Sequence, residues 1–332
     1  MSSREILVIG AGSWGTALAL VLARNGHDVY IWDIVKEHIE EINRSGENTR
    51  YLPGVEFPSN LKAIDDISQC AAVQDVVMAM PCAGLTGSLE LLKTSLATTS
   101  PGICLACKGF EPTSNSLNSL VAEKTLGSRN LAVISGPSFA GEVAKGLPTA
   151  ITIASANEAT ADHFSGLFHS ERFRTYTNDD VIGVQVGGAV KNVIAIAAGI
   201  ADGLGYGANT RSALMTRSLA EIMRLGIAMG GRRETFMGLA GLGDLILTCT
   251  DNQSRNRRFG LALAKGMSIE EAKKEIGQAI EGIVTTSVVY ELARKHEVDM
   301  PVTEQVHNIL QSRCSAEEAV LNLLAREAKS EM

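Results

Sequence analysis

The chain has 332 residues, of which 45% are hydrophobic and 20% charged. This length gives room for two domains with separate cores. The formal net charge of −7 argues against a general binder of nucleic acids or anionic membranes. The six cysteines are too few and too scattered to form a disulfide framework in a chain of this length.

The N-terminal segment has the order of elements that a dinucleotide-binding fold requires. A short apolar strand, Glu5–Ile9, runs into GAGSWG, and an apolar helix then extends to Gly26. A second strand, DVYIW, ends at Asp33. In this pattern the glycines permit a tight turn and close packing, and the helix N-terminus faces the pyrophosphate. We therefore predict that dinucleotide binding involves Gly10, Gly12 and Gly15.

Asp33 bears on the choice of cofactor. A carboxylate at the end of the second strand can accept hydrogen bonds from the adenosine ribose and would repel a 2′-phosphate. The pattern favours NAD over NADP. The alternative role for Asp33 is a cap of the following helix.

Further apolar runs indicate a mostly parallel, doubly wound sheet with helices between its strands. They span residues 75–80, 102–108, 131–136, 149–155 and 172–177. Cys104 and Cys107 form a CxxC motif inside one of these runs. A buried strand is favoured over a redox or metal site, because no second cysteine pair or histidine cluster completes such a site. We predict no metal.

Residues at strand ends are candidates for ligand contact, because ligands of such sheets bind beyond the carboxyl ends of the strands. Lys108 follows one strand, and Gly136 and Ser138 follow another. A solvated loop lysine and a plain helix N-cap are the alternatives for Lys108 and Ser138.

The segment 180–205 has apolar residues at helical spacing, with Lys191 in its middle. Small residues share the face of this lysine, which leaves room for another backbone or a ligand. The alternative is a lysine that extends from an inter-domain helix to solvent. This segment separates the two predicted domains, residues 1–180 and 181–332.

The second domain is predicted to be all-helical, with helices near 209–229, 256–265, 268–276, 283–296, 303–311 and 315–327. Asp244 and Thr248 lie four residues apart in apolar sequence, hence on one helical face. Burying them unpaired would cost about 1–3 kcal/mol each, so we predict that Lys191 pairs with Asp244. A polar turn then carries Ser254, Arg255 and Asn256.

Seven segments together carry a resemblance to a known family: GAGSWGTALA, CKGFE, SGPSFAGEVAKG, VGGAVKNVIAIAAGIADGLG, GLAGLGDLILTC, SRNRRFG and AIEGI. They resemble the bacterial NAD(P)-dependent sn-glycerol-3-phosphate dehydrogenases over essentially the whole chain. The resemblance implies an α/β fold, with an N-terminal Rossmann-type doubly wound sheet followed by an all-α C-terminal domain. It also implies reversible reduction of dihydroxyacetone phosphate to sn-glycerol 3-phosphate for phospholipid synthesis.

The resemblance assigns roles to individual residues. The family's proton donor and acceptor matches Lys191, and Thr248 matches a polar position of the family's site. The predicted catalytic set also includes Lys108 and Asp244, which would act on the pKa and orientation of Lys191. The resemblance assigns cofactor contacts to Ser13, Trp14, Lys108, Ala140, Arg255 and Glu281. The glycine pattern adds Gly10, Gly12, Gly15 and Asp33 to the predicted cofactor contacts. Substrate contacts are assigned to Lys108, Gly136, Ser138, Lys191, Asn192, Asp244, Ser254, Arg255 and Asn256. Members of the family often carry a small residue and then Arg or His after the Trp of the second strand, whereas this chain has Asp33 and Ile34, which favours NAD.

None of the six histidines falls in a motif, so Lys191 is the predicted acid–base group. Desolvation and the positive charge of Lys108 would lower its pKa, and Asp244 would orient it and partly oppose that shift. Arg255 suits a phosphate through two parallel hydrogen bonds.

The alternatives are another two-domain dehydrogenase, acting on a 3-hydroxy acid or a sugar acid, and a non-catalytic nucleotide-sensing protein. A strand predicted from residue 5 leaves no room for a signal peptide, and the longest apolar run near Lys191 has only nine residues. We expect a cytoplasmic homodimer without membrane insertion or nucleic-acid partner.

Overall fold

The computed structural model describes residues 3–70, 72–96, 100–127 and 130–326. Its contacts divide the chain into two compact units, Met1–Gln185 (unit 1) and Val186–Met332 (unit 2). The domain boundary predicted at residue 180 falls five residues before this division.

Unit 1 is built on an eight-stranded sheet with the order β10-β9-β8-β5-β4-β1-β2-β3. Neighbouring strands pair in parallel, except for β8 and β9, which are antiparallel. The strands β6 and β7 form a separate antiparallel hairpin. The strand bounds are β1 Glu5–Ile9, β2 Asp28–Trp32, β3 Leu61–Ile64, β4 Asp75–Met78, β5 Gly102–Leu105, β6 Phe110–Glu111, β7 Ser116–Leu117, β8 Leu131–Ser135, β9 Thr149–Ala154 and β10 Phe173–Asn178.

Six α-helices of unit 1 connect these strands within the described residues, and short 3₁₀ turns occupy Ile67–Cys70 and Cys82–Gly84. The helices are α1 Ser13–Arg24, α2 Lys36–Ser45, α3 Leu85–Ser95, α4 Asn118–Leu126, α5 Ala140–Ala144 and α6 Glu158–Phe168. The central strands β4 and β5 are buried at every position, which is why they read as continuous apolar runs rather than as alternating ones.

All seven strands predicted from the sequence are present, two with the predicted bounds and five with ends that differ by one to three residues. The sequence missed β3 and the β6–β7 hairpin, which have only four and two residues per strand. Such short segments carry too few side chains to show a period. Cys104 lies in the buried strand β5, as predicted, and burial raises the pKa of its thiol, which stays neutral. All six cysteines are free thiols.

The described part of unit 2 contains helices without strands, together with one π-helical turn, Leu239–Gly243. The helices are α7 Val181–Gly203 (which begins in unit 1), α8 Ala208–Ala228, α9 Arg233–Phe236, α10 Asp244–Thr250, α11 Arg255–Ala264, α12 Ile269–Ile276, α13 Glu281–Lys295, α14 Pro301–Leu310 and α15 Ala316–Leu324. The predicted fold class is confirmed. The last predicted helix ends three residues early, and residue 327 lies outside the described residues.

Helix α7 carries Lys191 and is the most apolar helix of the protein. Asp180 caps its start, since the carboxylate Oδ1 accepts a hydrogen bond of 2.8 Å from the backbone N–H of Gly183. By length and composition α7 could cross a membrane, but 83% of its most apolar window is buried within the protein. That burial is typical of a core helix.

Glu221 on α8 holds the start of α14 in unit 2. This residue is only 1% exposed, and its carboxylate accepts hydrogen bonds from the backbone N–H groups of Val302 (2.8 Å) and Thr303 (3.3 Å). The two N–H groups and the helix dipole favour the charged form. Burial outweighs them and raises the pKa of Glu221 to about 7.

This raised pKa makes the stability of unit 2 depend on pH. Between the ordinary carboxyl pKa of 4.5 and about 7 the folded state binds more protons than the unfolded state, so stability falls as pH rises through this window. The full shift corresponds to about 3 kcal/mol. We expect Glu221→Gln to lose less thermal stability between pH 5 and pH 8 than the wild type. Thermal unfolding measured by circular dichroism at both pH values checks this, with the exposed Glu275→Gln as the control. Equal losses in wild type and Glu221→Gln would contradict the assignment.

Candidate active site

The glycine turn between β1 and α1 has the tight geometry that the sequence predicted. Gly10 has a φ of +104°, in the region that favours glycine, and a Cβ there would lie 2.7 Å from the backbone N of Met80. A Cβ on Gly15 would lie 1.9 Å from the carbonyl oxygen of Gly10. Around Gly12, by contrast, no described atom lies within 4 Å of the Cβ position. The turn is therefore closed toward the protein and open at Gly12, where a ligand's phosphates could approach the backbone.

The first turn of α1 presents donors to this open side. Its N-cap is Gly12, which makes no side-chain capping bond. The indole Nε1–H of Trp14 is buried and has no hydrogen-bond partner among the described residues. A nucleotide cofactor fits this turn, because the backbone N–H groups at a helix N-terminus bind anions. Ser13 is placed differently, since its hydroxyl donates to the carbonyl oxygen of Tyr51 at 2.8 Å.

Asp33 binds the protein backbone with both carboxylate oxygens. Oδ2 accepts from the N–H of Ala11 at 2.8 Å, and Oδ1 accepts from the N–H of Val35 at 3.1 Å. The carboxylate thus ties the end of β2 to the glycine turn. The alternative role of Asp33 as the N-cap of α2 is wrong. Val35 is the N-cap of that helix, and no side chain makes a capping hydrogen bond there. The contact of Asp33 with a ribose stays a prediction.

A loop that the sequence did not single out closes one side of the glycine turn. The amide Nδ2 of Asn48 donates to the carbonyl oxygen of Ala11 (2.7 Å) and to Thr16 Oγ1 (2.8 Å). Asn48 is fully buried, and the carbonyl of Tyr51 in the same loop binds Ser13. Residues 47–57 show no hydrophobic period in the sequence, so only the tertiary structure reveals their role in shaping the turn.

Lys108, Gly136 and Ser138 come together at the strand ends of unit 1, as the sequence predicted. The ammonium group of Lys108 donates to the carbonyl oxygen of Gly136 at 2.8 Å and to Ser138 Oγ at 3.4 Å, and it lies 5.8 Å from the ring centroid of Trp14. This arrangement contradicts a solvated loop lysine. The N-cap reading of Ser138 is also wrong, because Phe139 caps α5 and Ala140 is its first helical residue. Lys108 thus joins the strand-end residues to the first turn of α1.

Lys191 is buried with the two polar residues that share a face of α10. Its ammonium group donates to Asp244 Oδ1 at 2.6 Å and to Thr248 Oγ1 at 2.8 Å. The three residues are 7%, 1% and 4% exposed. The predicted Lys191–Asp244 pair is confirmed, and a lysine that extends to solvent is wrong. Thr248 also donates to the backbone carbonyl of Asp244 at 2.7 Å, which orients its hydroxyl oxygen as an acceptor for Lys191.

The π-helical turn Leu239–Gly243 brings α7 and α10 this close. A Cβ on Gly187 would lie 2.7 Å from the carbonyl oxygen of Ala240, so only glycine permits the approach. Gly187 is one turn before Lys191 on α7, and the π turn leads directly into Asp244. Wide helical turns of this kind often occur at functional sites.

The polar turn before α11 carries the other predicted contacts of unit 2. Ser254 is the N-cap of α11, and its hydroxyl accepts from the N–H of Arg257 at 3.2 Å. Arg255 donates to the carbonyl oxygen of Ala279 at 2.8 Å. Burial lowers the pKa of the Arg255 guanidinium, and the negative charge of Glu281 at the start of α13 opposes the shift.

Asn256 connects this turn to α7 and α13. Its Oδ1 accepts from the backbone N–H of Gly282, and its Nδ2 donates to Oδ1 of Asn192, both at 2.9 Å. Since a backbone N–H can only donate, it fixes which way both amides point. The amide oxygen of Asn192 therefore points toward Asn256, and its NH₂ group points away from Asn256. Both polar groups of Asn256 thus bind within unit 2, and a substrate contact stays a prediction.

Among the residues described, no group of three or more His, Cys, Asp or Glu side chains could hold a metal ion.

Comparisons with known proteins identify the family of this chain. Residues 5–161 match the family model of the NAD-dependent glycerol-3-phosphate dehydrogenase N-terminus, and residues 180–321 match that of the C-terminus. The chain is 49% identical to the glycerol-3-phosphate dehydrogenase [NAD(P)+] of Idiomarina loihiensis, with 100% of both chains covered. It is 50% identical to the enzyme of the same name from Colwellia psychrerythraea, with 98% of both covered.

Solved structures give the same result. The glycerol-3-phosphate dehydrogenase of Coxiella burnetii is 47% identical, with a TM-score of 0.95 and 98% and 99% of the two chains covered. That of Saccharomyces cerevisiae is 29% identical, with a TM-score of 0.81 and 98% and 100% covered. A D-mandelate dehydrogenase is 12% identical, with a TM-score of 0.65 and 95% and 99% covered, and shares the fold alone. This chain therefore belongs to the NAD-dependent glycerol-3-phosphate dehydrogenase family, as its motifs predicted.

Proposed function

We propose that this chain transfers hydride reversibly between NAD(P)H and dihydroxyacetone phosphate to give sn-glycerol 3-phosphate, with Lys191 as the proton donor and acceptor. The observation that carries the proposal is the buried Lys191–Asp244–Thr248 cluster, with an ammonium N–H···O distance of 2.6 Å to the carboxylate. A buried lysine with this fixed orientation can give a proton to a carbonyl oxygen.

The reaction needs a hydride, a proton and a site for a phosphate dianion. NAD(P)H, when bound, supplies the hydride. Lys191 gives its proton to the C2 oxygen of the substrate as that oxygen becomes a hydroxyl, and it takes the proton back in the reverse direction. Asp244 and Thr248 hold the ammonium group in place. Acid–base help of this kind is worth about 10²–10⁴ in rate.

Arg255 is the proposed binding group for the phosphate. A guanidinium can donate two parallel hydrogen bonds to phosphate oxygens, which an ammonium cannot do in the same geometry. It sits at the start of α11, where the helix N-terminus adds a favourable partial positive charge. Ser254 and Asn256 flank it, so the segment Ser254–Asn256 is called the anion clamp below. A local clamp also explains how a chain of net charge −7 holds an acidic substrate.

The remaining assignments follow the same proposal. Gly12 and Trp14 are the proposed cofactor contacts of the glycine turn, with Ala140, Arg255 and Glu281. Lys108, Gly136 and Ser138 are proposed to contact the substrate from the strand ends. The homodimer and the cytoplasmic location stay predictions.

The direct test is oxidation of NADH by the purified protein. We expect the absorbance of reduced nicotinamide to fall when dihydroxyacetone phosphate is added and to stay constant with dihydroxyacetone or with a 3-keto acid. Activity only with the keto acid would favour the rival dehydrogenase class. Binding of NADH without any turnover would favour a nucleotide-sensing protein.

The same assay with NADPH tests the cofactor preference. Because the carboxylate of Asp33 lies at the end of β2, it should repel a 2′-phosphate. We expect a higher kcat/KM with NADH, and a ratio that favours NADPH would contradict the preference.

Lys191→Ala tests the proton donor. We expect kcat to fall about 10²–10⁴-fold while the Kd for NADH stays unchanged, because the variant loses the acid and keeps the glycine turn. The exposed Lys265→Ala, at the C-cap of α11, is the matched control. If the unpaired Asp244 prevents folding, Lys191→Met/Asp244→Asn removes the buried charge as well. A variant that keeps a tenth of wild-type turnover would rule out the role.

Arg255→Ala tests the phosphate contact. We expect KM for dihydroxyacetone phosphate to rise about 10- to 100-fold, since a charge-assisted hydrogen bond is worth about 1.5–3 kcal/mol. The neighbouring Arg258 is exposed and serves as the control when changed to alanine. An unchanged KM in Arg255→Ala would place the phosphate elsewhere.

A further inference from the structure

Arg257 follows the anion clamp directly in the chain and is buried, with 8% of its surface exposed. Its guanidinium donates in three directions: Nε to the carbonyl oxygen of Cys249 at 3.1 Å, Nη1 to Oδ1 of Asn252, and Nη2 to Oδ2 of Asp202. Cys249 is in the last turn of α10, and Asn252 is in the turn that joins α10 to α11. One side chain thus binds the end of α10 and the turn that leads into the clamp.

Asp202 anchors this arginine to the helix of Lys191. It lies eleven residues after Lys191 on α7, which at 100° per residue returns to nearly the same face, about 16 Å along the axis. Its side chain is 10% exposed and also accepts from Nη1 of Arg211 on α8, at 3.0 Å to each oxygen. The carboxylate therefore joins α7, α8 and α11.

The backbones of α7 and α11 are in direct contact beside this ion pair. A Cβ on Gly199 would lie 2.1 Å from the carbonyl oxygen of Arg257, and a Cβ on Gly260 would lie 2.1 Å from that of Ile196. Glycine at both positions lets the helices approach without space between them. The helix pair therefore gives a rigid base, and the short turn between α10 and α11 takes its position from the Arg257 side chain.

We propose that the Asp202–Arg257 ion pair is a positioning element that sets the anion clamp relative to Lys191 and so determines the affinity for the phosphate of the substrate. This inference rests on the proposed function of Arg255 and Lys191. Arg257 acts through the clamp, because its three hydrogen bonds go to protein acceptors in and beside the turn. Loss of one charge-assisted hydrogen bond to the phosphate would weaken its binding about 10- to 100-fold.

The test uses a substitution that keeps the charge and loses the geometry. Arg257→Lys retains the attraction to Asp202, but an ammonium group cannot donate in the three fixed directions of a guanidinium. We expect Arg257→Lys to raise KM for dihydroxyacetone phosphate and the inhibition constant of inorganic phosphate together, by about tenfold or more. The kcat at saturation and the Kd for NADH should stay within about twofold of wild type, because Lys191 and the glycine turn are unchanged. Arg258→Lys, at the exposed neighbouring position, should change none of these values.

A double-variant comparison separates positioning from general stabilisation. If Arg257 acts through Arg255, Arg257→Lys should raise KM much less in an Arg255→Ala background than in the wild type, because the two effects are not additive. Asp202→Asn should reproduce the rise in KM of Arg257→Lys. A lowered melting temperature with unchanged KM and phosphate inhibition, or full additivity with Arg255→Ala, would overturn the proposal.

The test also distinguishes failure of this inference from failure of the proposed function. Absence of wild-type activity with dihydroxyacetone phosphate would count against the function. Calorimetric binding of inorganic phosphate does not depend on turnover, so weaker phosphate binding in Arg257→Lys than in Arg258→Lys would still support the positioning role. Equal phosphate binding in the two variants would refute it.

Discussion

The constraint on which unit 2 depends is the burial of the Lys191 charge. Taking an ammonium and a carboxylate out of water costs several kcal/mol for each ion, and their attraction offsets this only if the geometry is good and further hydrogen bonds complete it. Asp244 gives the opposite charge and Thr248 a second acceptor. The positions of α7 and α10 follow, because both helices must bring these groups within hydrogen-bond distance.

The glycines of unit 2 make that approach possible. A Cβ at Gly187 would meet the carbonyl oxygen of Ala240 next to the Lys191 cluster, and a Cβ at Gly199 would meet that of Arg257 farther along α7. Two buried ion pairs therefore lie along one face of α7, each beside a glycine contact. The pair at Lys191 is the one proposed for chemistry. The pair at Asp202 joins α7 to the turn that leads into the anion clamp.

Sequence patterns predicted the elements that repeat over many residues, but they did not show which backbone groups single polar side chains bind. The strands and helices were visible because burial imposes a period on the side chains. No sequence pattern showed that both carboxylate oxygens of Asp33 accept hydrogen bonds from the backbone N–H groups of Ala11 and Val35. Ser13 likewise binds Tyr51, and Asn48 closes the glycine turn from a loop with no sequence pattern. In each case the partner is distant in the chain or depends on the exact path of a loop.

The sequence by itself determined the fold class, the glycine turn, the Lys191–Asp244 pair and the family. These depend on local spacing, or on the rule that a carboxylate in apolar sequence needs a cation. Only the tertiary structure decided that Arg257 pairs with Asp202, and that the amides of Asn192 and Asn256 are oriented by the N–H of Gly282. The physical reason is that no local pattern marks these contacts, which join residues from 26 to 64 positions apart. Many polar residues in the chain could form such contacts, and only the close packing of α7, α11 and α13 selects which of them do.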